Sequence, residues 1–290
     1  MSTPRKPIQG DIISLMSALI VSVIIPTKNS SITLGDCLNS IKNQTYPNIE
    51  LIIVDNFSID NTPIIAKKYT NKFYSKGPER SPQRNYGVNK AKGVYVAIID
   101  SDMNLSPDVI DECVTTMEDN PELAGVVIPE ESFGEGFWAQ CKKLERSFYI
   151  GVDYMEAARF FRRSDYEKLG GYSETMVSGE DWDLSQRMER LGRLDHITSL
   201  IRHNEGHISL WQSMKKKFYY AEKFAHYKNA YQTTDHLSQQ TNIASRYQLF
   251  LSNPKKLFKD PLLGFGMLFM KTCEFGVGAA GYLKARIRRR

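Results

Sequence analysis

The chain has 290 residues, 41% hydrophobic and 24% charged, which suits one substantial folded domain with an appendage and excludes a disordered or repetitive protein. Four cysteines, Cys37, Cys113, Cys141 and Cys273, are widely scattered with no C-x-x-C pair, which argues against a disulfide framework or a zinc site and for a reducing compartment. The net charge of +5 is unevenly spread: residues 206–290 carry 15 Lys and Arg against the four acids Glu222, Asp235, Asp260 and Glu274, leaving 23 basic and 29 acidic residues in 1–205. An acidic front suits a bound cation, and a basic rear suits an anionic surface.

At the N-terminus, Arg5 and Lys6 precede an apolar stretch, 12–25, that loosely resembles a signal peptide. Its second half, Val21-Ser-Val-Ile-Ile-Pro26, reads better as a core strand, and 11–19 as a short surface helix capped by Asp11. Strand and helix patterns then alternate: strand 21–25, helix 33–43, strand 50–55, helix 62–69, strand 73–75, a loop with Gly77 and Pro82, helix 83–92 and strand 94–100. This alternation predicts an α/β fold with a mostly parallel sheet covered on both faces. Ligands of such sheets bind beyond the carboxyl ends of the strands. Residues 126–205 are more mixed, with a helix at 163–169 closed by Gly170-Gly171 and a loop reaching Gly179-Glu-Asp-Trp182. Beyond His207 long basic, aromatic helices are expected.

Three predicted strand ends carry polar clusters that should converge on one crevice: Pro26-Thr27-Lys28-Asn29, Asp55 and Asp100-Ser101-Asp102. A D-x-D pair at the edge of a buried strand offers oxygen ligands to a hard cation such as Mg²⁺ or Mn²⁺, and could equally cap the turn before Ser106-Pro107. A metal there would neutralise a diphosphate leaving group. Glu180 and Asp181 precede Asp183-Leu-Ser-Gln-Arg187, which begins a helix, so the pair reads either as helix-terminal charge or as a base for an acceptor hydroxyl. His203-Asn-Glu-Gly-His207 does not have the spacing of a zinc protease.

In this order, Val23-Ile-Ile-Pro-Thr-Lys-Asn29, Leu51-Ile-Ile-Val-Asp55 with Ser58, Arg84-Asn85-x-Gly87 with Ala91-Lys-Gly93, Asp100-Ser-Asp102 and Gly179-Glu-Asp181 resemble the family 2 glycosyltransferases over residues 21–205. The resemblance implies a GT-A fold, a nucleotide-sugar donor (UDP- or GDP-linked) and inversion at the transferred sugar. It implies that Pro26, Thr27 and Asn29 line the nucleotide pocket, that Asp55 bonds the base and that Arg84 lies near the donor phosphates. Asp100 and Ser101 would touch ribose or sugar, Asp102 with His203 would hold Mn²⁺ or Mg²⁺, and Asp181, with Glu180 beside it, would be the base. Many relatives have Glu directly after the Asn of the first motif. Ser30 stands here instead, and a pocket contact is therefore lost or replaced.

In the rear, Lys215-Lys-Lys-Phe-Tyr-Tyr220 mixes cations with aromatic rings, as a headgroup interface does, with no nucleic-acid motif beside it. The segment 261–283 is apolar but interrupted by Lys271 and Glu274, which lie at i,i+3 and could pair, so it falls short of a charge-free span of about 18 residues. Lys284-Ala-Arg-Ile-Arg-Arg-Arg290 follows, and apolar helix plus polybasic tail predicts a monotopic anchor. The expected organisation is an extension at 1–20, a catalytic domain at 21–205 and a membrane-docking region at 206–290. The expected activity is metal-dependent transfer of a sugar to a hydroxyl of a lipid-linked saccharide at the cytoplasmic face of the membrane. A lipid phosphate, being already ionised, would need no base, so the Glu-Asp pair favours a hydroxyl acceptor over the alternative of a polyprenyl-phosphate sugar synthase. A catalytically silent nucleotide-sugar or membrane-binding protein is the alternative from another class.

Overall fold

The computed structural model describes residues 19–223, 239–240 and 242–287. The surface helix expected over 11–19 and the last three arginines of the tail lie, but for residue 19, outside them. In chain order the elements are β1 (Val21–Thr27), α1 (Leu34–Lys42), β2 (Ile49–Asp55), α2 (Thr62–Ala66), β3 (Phe73–Ser75), α3 (Arg80–Lys90), β4 (Tyr95–Ile98), β5 (Met103–Leu105), α4 (Val109–Asp119), β6 (Gly125–Val127) and β7 (Glu130–Glu135). There follow α5 (Phe137–Ser147), β8 (Ala158–Arg162), α6 (Arg163–Lys168), α7 (Glu180–Met188), β9 (Leu194–His196), β10 (Ile201–His207), α8 (Leu210–Lys223), α9 (Ile243–Leu251), α10 (Pro254–Leu257) and α11 (Pro261–Ile287).

A seven-stranded sheet runs β3-β2-β1-β4-β8-β6-β9, and a three-stranded one β5-β10-β7. Strands β3, β2, β1 and β4 are parallel, and β8 turns the sheet antiparallel at β4. Every residue of β1 is buried, which explains its unbroken apolar run: alternate side chains enter cores on opposite faces. Val23 and Ile25 pack with Leu34 and Leu38 of α1 and Val114 of α4, while Ile24 packs with Val88 of α3 and with Leu184 and Met188 of α7. Burying Leu184 and Met188 contributes about 1.5–3 kcal/mol each, and it fixes the start of α7 at the carboxyl edge of the sheet. Gly87 is required where α3 crosses the sheet, since a Cβ there would meet Ile24 Cγ2 at 2.4 Å.

A third core, with Cys141, Tyr149, Phe250, Leu257, Met267 and Met270, joins α5 to α9, α10 and α11. Gly266 lets α11 approach α5, because a Cβ there would lie 2.4 Å from the Phe137 ring. By length and composition α11 could cross a membrane, but its two faces differ. Its inner face buries Met267, Met270, Lys271 and Glu274. Lys271 and Glu274 do pair, at 2.7 Å, and Lys271 also reaches Glu145 of α5 at 2.9 Å. Lys142 joins Glu145 at 2.9 Å, and Ser213 of α8 donates to Glu274 at 2.5 Å. The outer face leaves Leu262, Phe265, Phe269, Leu283 and Ile287 exposed, all on one helical stripe.

Because Lys271 serves two buried carboxylates, Lys271→Met is expected to cost about 3–5 kcal/mol in denaturant melts. The double change Lys271→Met with Glu274→Leu is expected to cost less, since Glu145 keeps Lys142 and one stranded carboxylate is gone.

Candidate active site

The first motif forms a turn that ties two strand ends together. Thr27 and Asp55 are register partners, and Thr27 Oγ1 donates to Asp55 Oδ1 at 2.8 Å. Ser58 closes the same carboxylate, its N–H donating to Oδ2 at 2.7 Å and its hydroxyl to Oδ1 at 2.6 Å. Asn29 adopts a left-handed conformation (φ 49°), which Asn tolerates better than other non-glycine residues, and its N–H donates to Ser58 Oγ at 2.7 Å. Ser30, which stands where many relatives carry Glu, accepts from the Ser101 hydroxyl at 2.8 Å and so links this turn to the Asp100-Ser-Asp102 edge. Pro26 lies inside β1, between them.

Arg84 organises the opposite wall. Fully buried, it donates to Asp100 Oδ1 and to Asp181 Oδ1, both at 2.8 Å, with Glu180 Oε1 at 3.5 Å. Its guanidinium stacks on Tyr172, 4.8 Å from the ring centroid. The next motif residue secures that ring: Asn85 Oδ1 accepts from the Tyr172 N–H at 2.9 Å, and Asn85 Nδ2 donates to the Tyr172 carbonyl at 2.9 Å. The family pattern Arg-Asn-x-Gly is thus an arginine for carboxylates, an amide for its stacking partner and a glycine for the sheet. Helix α7 begins at Glu180, earlier than the sequence suggested, and puts three acids in its first turn, where the helix dipole favours them. Glu180 turns into the wall and meets Arg80 at 3.0 Å, and burial with the neighbouring Asp181 raises its pKa. Asp181 stays partly open.

The third group descends from β10. His203 Nε2 lies 3.2 Å from Asp102 Oδ2, and its Nδ1 lies 3.8 Å from Glu130 Oε2. Burial opposes its charge, but the carboxylates of Asp102 and Glu130 outweigh it and push His203 up to about 9. Arg159 of β8 bonds Glu130 at 2.7 Å and reaches Asp100 at 3.6 Å. Burial would raise the Asp100 carboxyl, but Arg84, Arg159 and Arg80 together hold it well below the usual range.

Asp100, Glu180, Asp181 and His203 line one cavity of about 350 Å³, together with Arg80, Glu130, Arg146, Arg159, Lys217 and Tyr220. Asp102 does not line it but touches His203, which does, and Ser101 and Ser30 bond each other outside it. Asp55 is two strands away from β4 and does not line this cavity, and neither do Pro26, Thr27, Asn29 or Gln83; the Gln83 amide ties α3 to the turn by donating to the carbonyls of Thr27 and Val54. Arg159, Glu130, Arg146 and Gln83 were not singled out from sequence. Arg159 left a trace there, as a charge inside the apolar strand Ala158-Arg-Phe-Phe161. The others have partners too distant in sequence to leave one. Among the described residues, no cluster of three or more His, Cys, Asp or Glu side chains closes a metal shell by itself. Asp102 is 39% exposed, with His203 beside it, and the pair fits a hard cation that displaces the imidazolium proton and takes its remaining ligands from phosphate.

A parallel sheet with a charged cleft at its carboxyl edge and carboxylates at 100, 102 and 181 is a GT-A-like α/β fold, and defines a glycosyltransferase. The chain belongs to glycosyl transferase family 2, whose model matches residues 22–176. It is 34% identical to EpsH of Bacillus subtilis over 114 residues, covering 37% of this chain and 33% of EpsH. It is 25% identical to a chondroitin synthase of Pasteurella multocida over 199 residues, covering 62% of this chain and 20% of that one. The chain thus spans about a third or less of the length of these relatives. Among solved structures it resembles the mannosyltransferase PcManGT of Pyrobaculum calidifontis, determined with GDP-Man and Mn²⁺ (TM-score 0.62, 14% identity, 91% of this chain and 87% of that one). It also resembles S. aureus TarS 1–349 in complex with UDP (TM-score 0.53, 16% identity, 92% of this chain and 91% of that one).

Arg84→Met strands Asp100 and Asp181, and the loss is expected to depend on pH. An Asp whose carboxyl is depressed in the fold contributes stability above its unfolded value of about 3.9 and loses it as pH falls further. The stability gap between wild type and Arg84→Met should therefore be about 3–5 kcal/mol at pH 7 in urea melts, begin to narrow below about pH 4 and still be narrowing at pH 2, because Asp100 is held well below its unfolded value.

Proposed function

We propose that the protein transfers a sugar, with inversion, from a nucleotide diphosphate sugar (UDP- or GDP-linked) to a hydroxyl of a lipid-linked saccharide. The observation that carries this reading is the buried Arg84 gripping Asp100 and Asp181 from opposite edges of one cavity, which leaves a single oriented carboxylate facing the space an acceptor would enter. Asp181 takes the proton of the acceptor hydroxyl as that oxygen bonds the anomeric carbon, and the bond from that carbon to the donor phosphate oxygen breaks. Glu180, tied to Arg80 and Arg84, holds the helix start in place. Asp100 and Ser101 meet the donor's ribose or sugar, and the Pro26, Thr27 and Asn29 turn borders the nucleotide. Asp55 acts there through the turn it holds together. Asp102 and His203 would hold Mn²⁺ or Mg²⁺, which when bound supplies positive charge to the leaving diphosphate. The Mn²⁺ and nucleotide sugar bound in the fold relative PcManGT support this assignment.

Residues 21–205 form the catalytic body in this reading, and 206–290 dock it on the cytoplasmic face of a membrane. Support comes from the exposed stripe of α11, where Leu262, Phe265 and Phe269 are each more than half exposed, and from the basic surplus of the rear segment. The inner face of the same helix carries the buried ion pairs, which favours a helix lying along a surface over one crossing it.

Asp181→Asn is expected to lower turnover by about 10²–10⁴-fold while donor binding persists, as loss of a general base does. A phosphate acceptor would leave that variant nearly as active as wild type. Asp102→Ala should abolish the Mn²⁺-dependent thermal shift with UDP- or GDP-sugars. The full chain is expected to sediment with anionic vesicles at low salt. The triple change of Leu262, Phe265 and Phe269 to Ser should weaken that binding at least about tenfold, since each buried apolar side chain is worth about 1.5–3 kcal/mol.

A further inference from the structure

The two ring nitrogens of His203 keep different company. Nε2 is turned to Asp102, 3.2 Å from Oδ2, so it is the nitrogen that a cation held by Asp102 would meet. Nδ1 has Arg146 Nη2 at 3.4 Å and Glu130 Oε2 at 3.8 Å. An imidazole that gives its Nε2 lone pair to a cation keeps its proton on Nδ1, and that N–H needs an acceptor. A guanidinium can only donate. Of these two neighbours Glu130 alone can accept.

Glu130 is held ready for it. Arg159 Nε donates to its Oε1 at 2.7 Å and Arg146 Nη1 to its Oε2 at 3.3 Å, so two arginines keep it ionised and oriented. The small sheet sets its distance from the ring. β7 and β10 run parallel, with Glu130 paired to Ile201 and Ser132 to His203, which makes carboxylate and imidazole diagonal neighbours on one face. Both side chains are largely withdrawn from solvent, 15% exposed for His203 and 16% for Glu130, so water is a poor rival acceptor.

We propose that Glu130 is the positioning residue of the metal site, the acceptor that holds His203 in its Nδ1–H form and leaves Nε2 free to join Asp102 on a divalent cation. The inference rests on the reading of Asp102 and His203 as the ligands. On coordination the gap from Nδ1 to Oε2 closes from 3.8 Å to the about 2.7–2.9 Å of a charge-assisted hydrogen bond. Arg146 opposes this, because a hydrogen bond from its guanidinium to Nδ1 puts the ring proton on Nε2, where it excludes a cation. The choice between the two neighbours is the choice between an imidazole that binds metal and one that does not.

The test is Mn²⁺ titration of the full chain with UDP or GDP, read by the electron paramagnetic resonance of free Mn²⁺. Glu130→Gln is expected to weaken Mn²⁺ about 10–100-fold, as loss of a carboxylate behind a ligating histidine does. His203→Asn alone should cost at least as much, and adding Glu130→Gln to it should cost nothing further, because the carboxylate acts through the ring. A merely structural role, or a long-range charge effect, would persist in that background. The proposal is overturned if Glu130→Gln binds Mn²⁺ as wild type does, or if its cost is the same with and without His203. A second measurement leaves Glu130 intact: ¹⁵N spectra of histidine-labelled wild type with nucleotide and Zn²⁺ as a diamagnetic substitute. His203, assigned by its absence from His203→Asn, should carry its proton on Nδ1, and a proton on Nε2 in the loaded protein also overturns the proposal. A wild type that binds no Mn²⁺ with either nucleotide, or Asp102→Ala that binds it undiminished, would instead overturn the ligand assignment from which the proposal starts.

Discussion

The site depends on one guanidinium. Arg84 is fully buried and cannot exist there as a bare cation, so the fold must supply it with carboxylates. It receives them from two elements far apart in sequence, the edge after β4 and the start of α7. In doing so it sets the position of α7 against the sheet. Asn85 and Tyr172 stiffen the arginine from below, and Arg159 supports Asp100 from the other side. Remove the charge, and two carboxylates that share a cleft must repel each other in a poorly solvated space.

This arrangement makes the cleft asymmetric. Glu180 and Asp181 are adjacent in sequence but face different environments: one is drawn into the wall by two arginines, the other stays partly open to the cavity. The two carboxylates of the Asp100-Ser-Asp102 motif divide in the same way, Asp100 locked between Arg84 and Arg159, and Asp102 left with an imidazole. Each pair therefore contributes one carboxylate held tightly by arginines and one that is more open.

Much of this was legible in the sequence, for identifiable reasons. β1, β2 and β4 are buried on both faces and so read as continuous β-branched runs, and their carboxyl ends are where the polar motifs fall. The start of α7 was harder to read, because Glu180 and Asp181 serve both as helix-terminal charges and as cavity walls. Lys271 and Glu274 were legible as an i,i+3 pair on one face. Their third partner, Glu145, lies more than a hundred residues earlier on another helix, and no local pattern announces such a contact. Glu130 and Arg146 escaped notice for the same reason: their meaning comes from β10 crossing over to β7.

The two-faced character of α11 has a consequence for how the protein could be taken apart. An ordinary anchor is a detachable tether, and trimming it yields a soluble enzyme. Under the proposed docking role α11 would be a keystone of the body as well, because Lys271, one of the two amines that meet Glu145, belongs to it. Cutting the chain before Pro261 would remove the greasy exterior and the interior counter-charge in one stroke. A change meant to alter only the outer stripe would have to leave the helix in place.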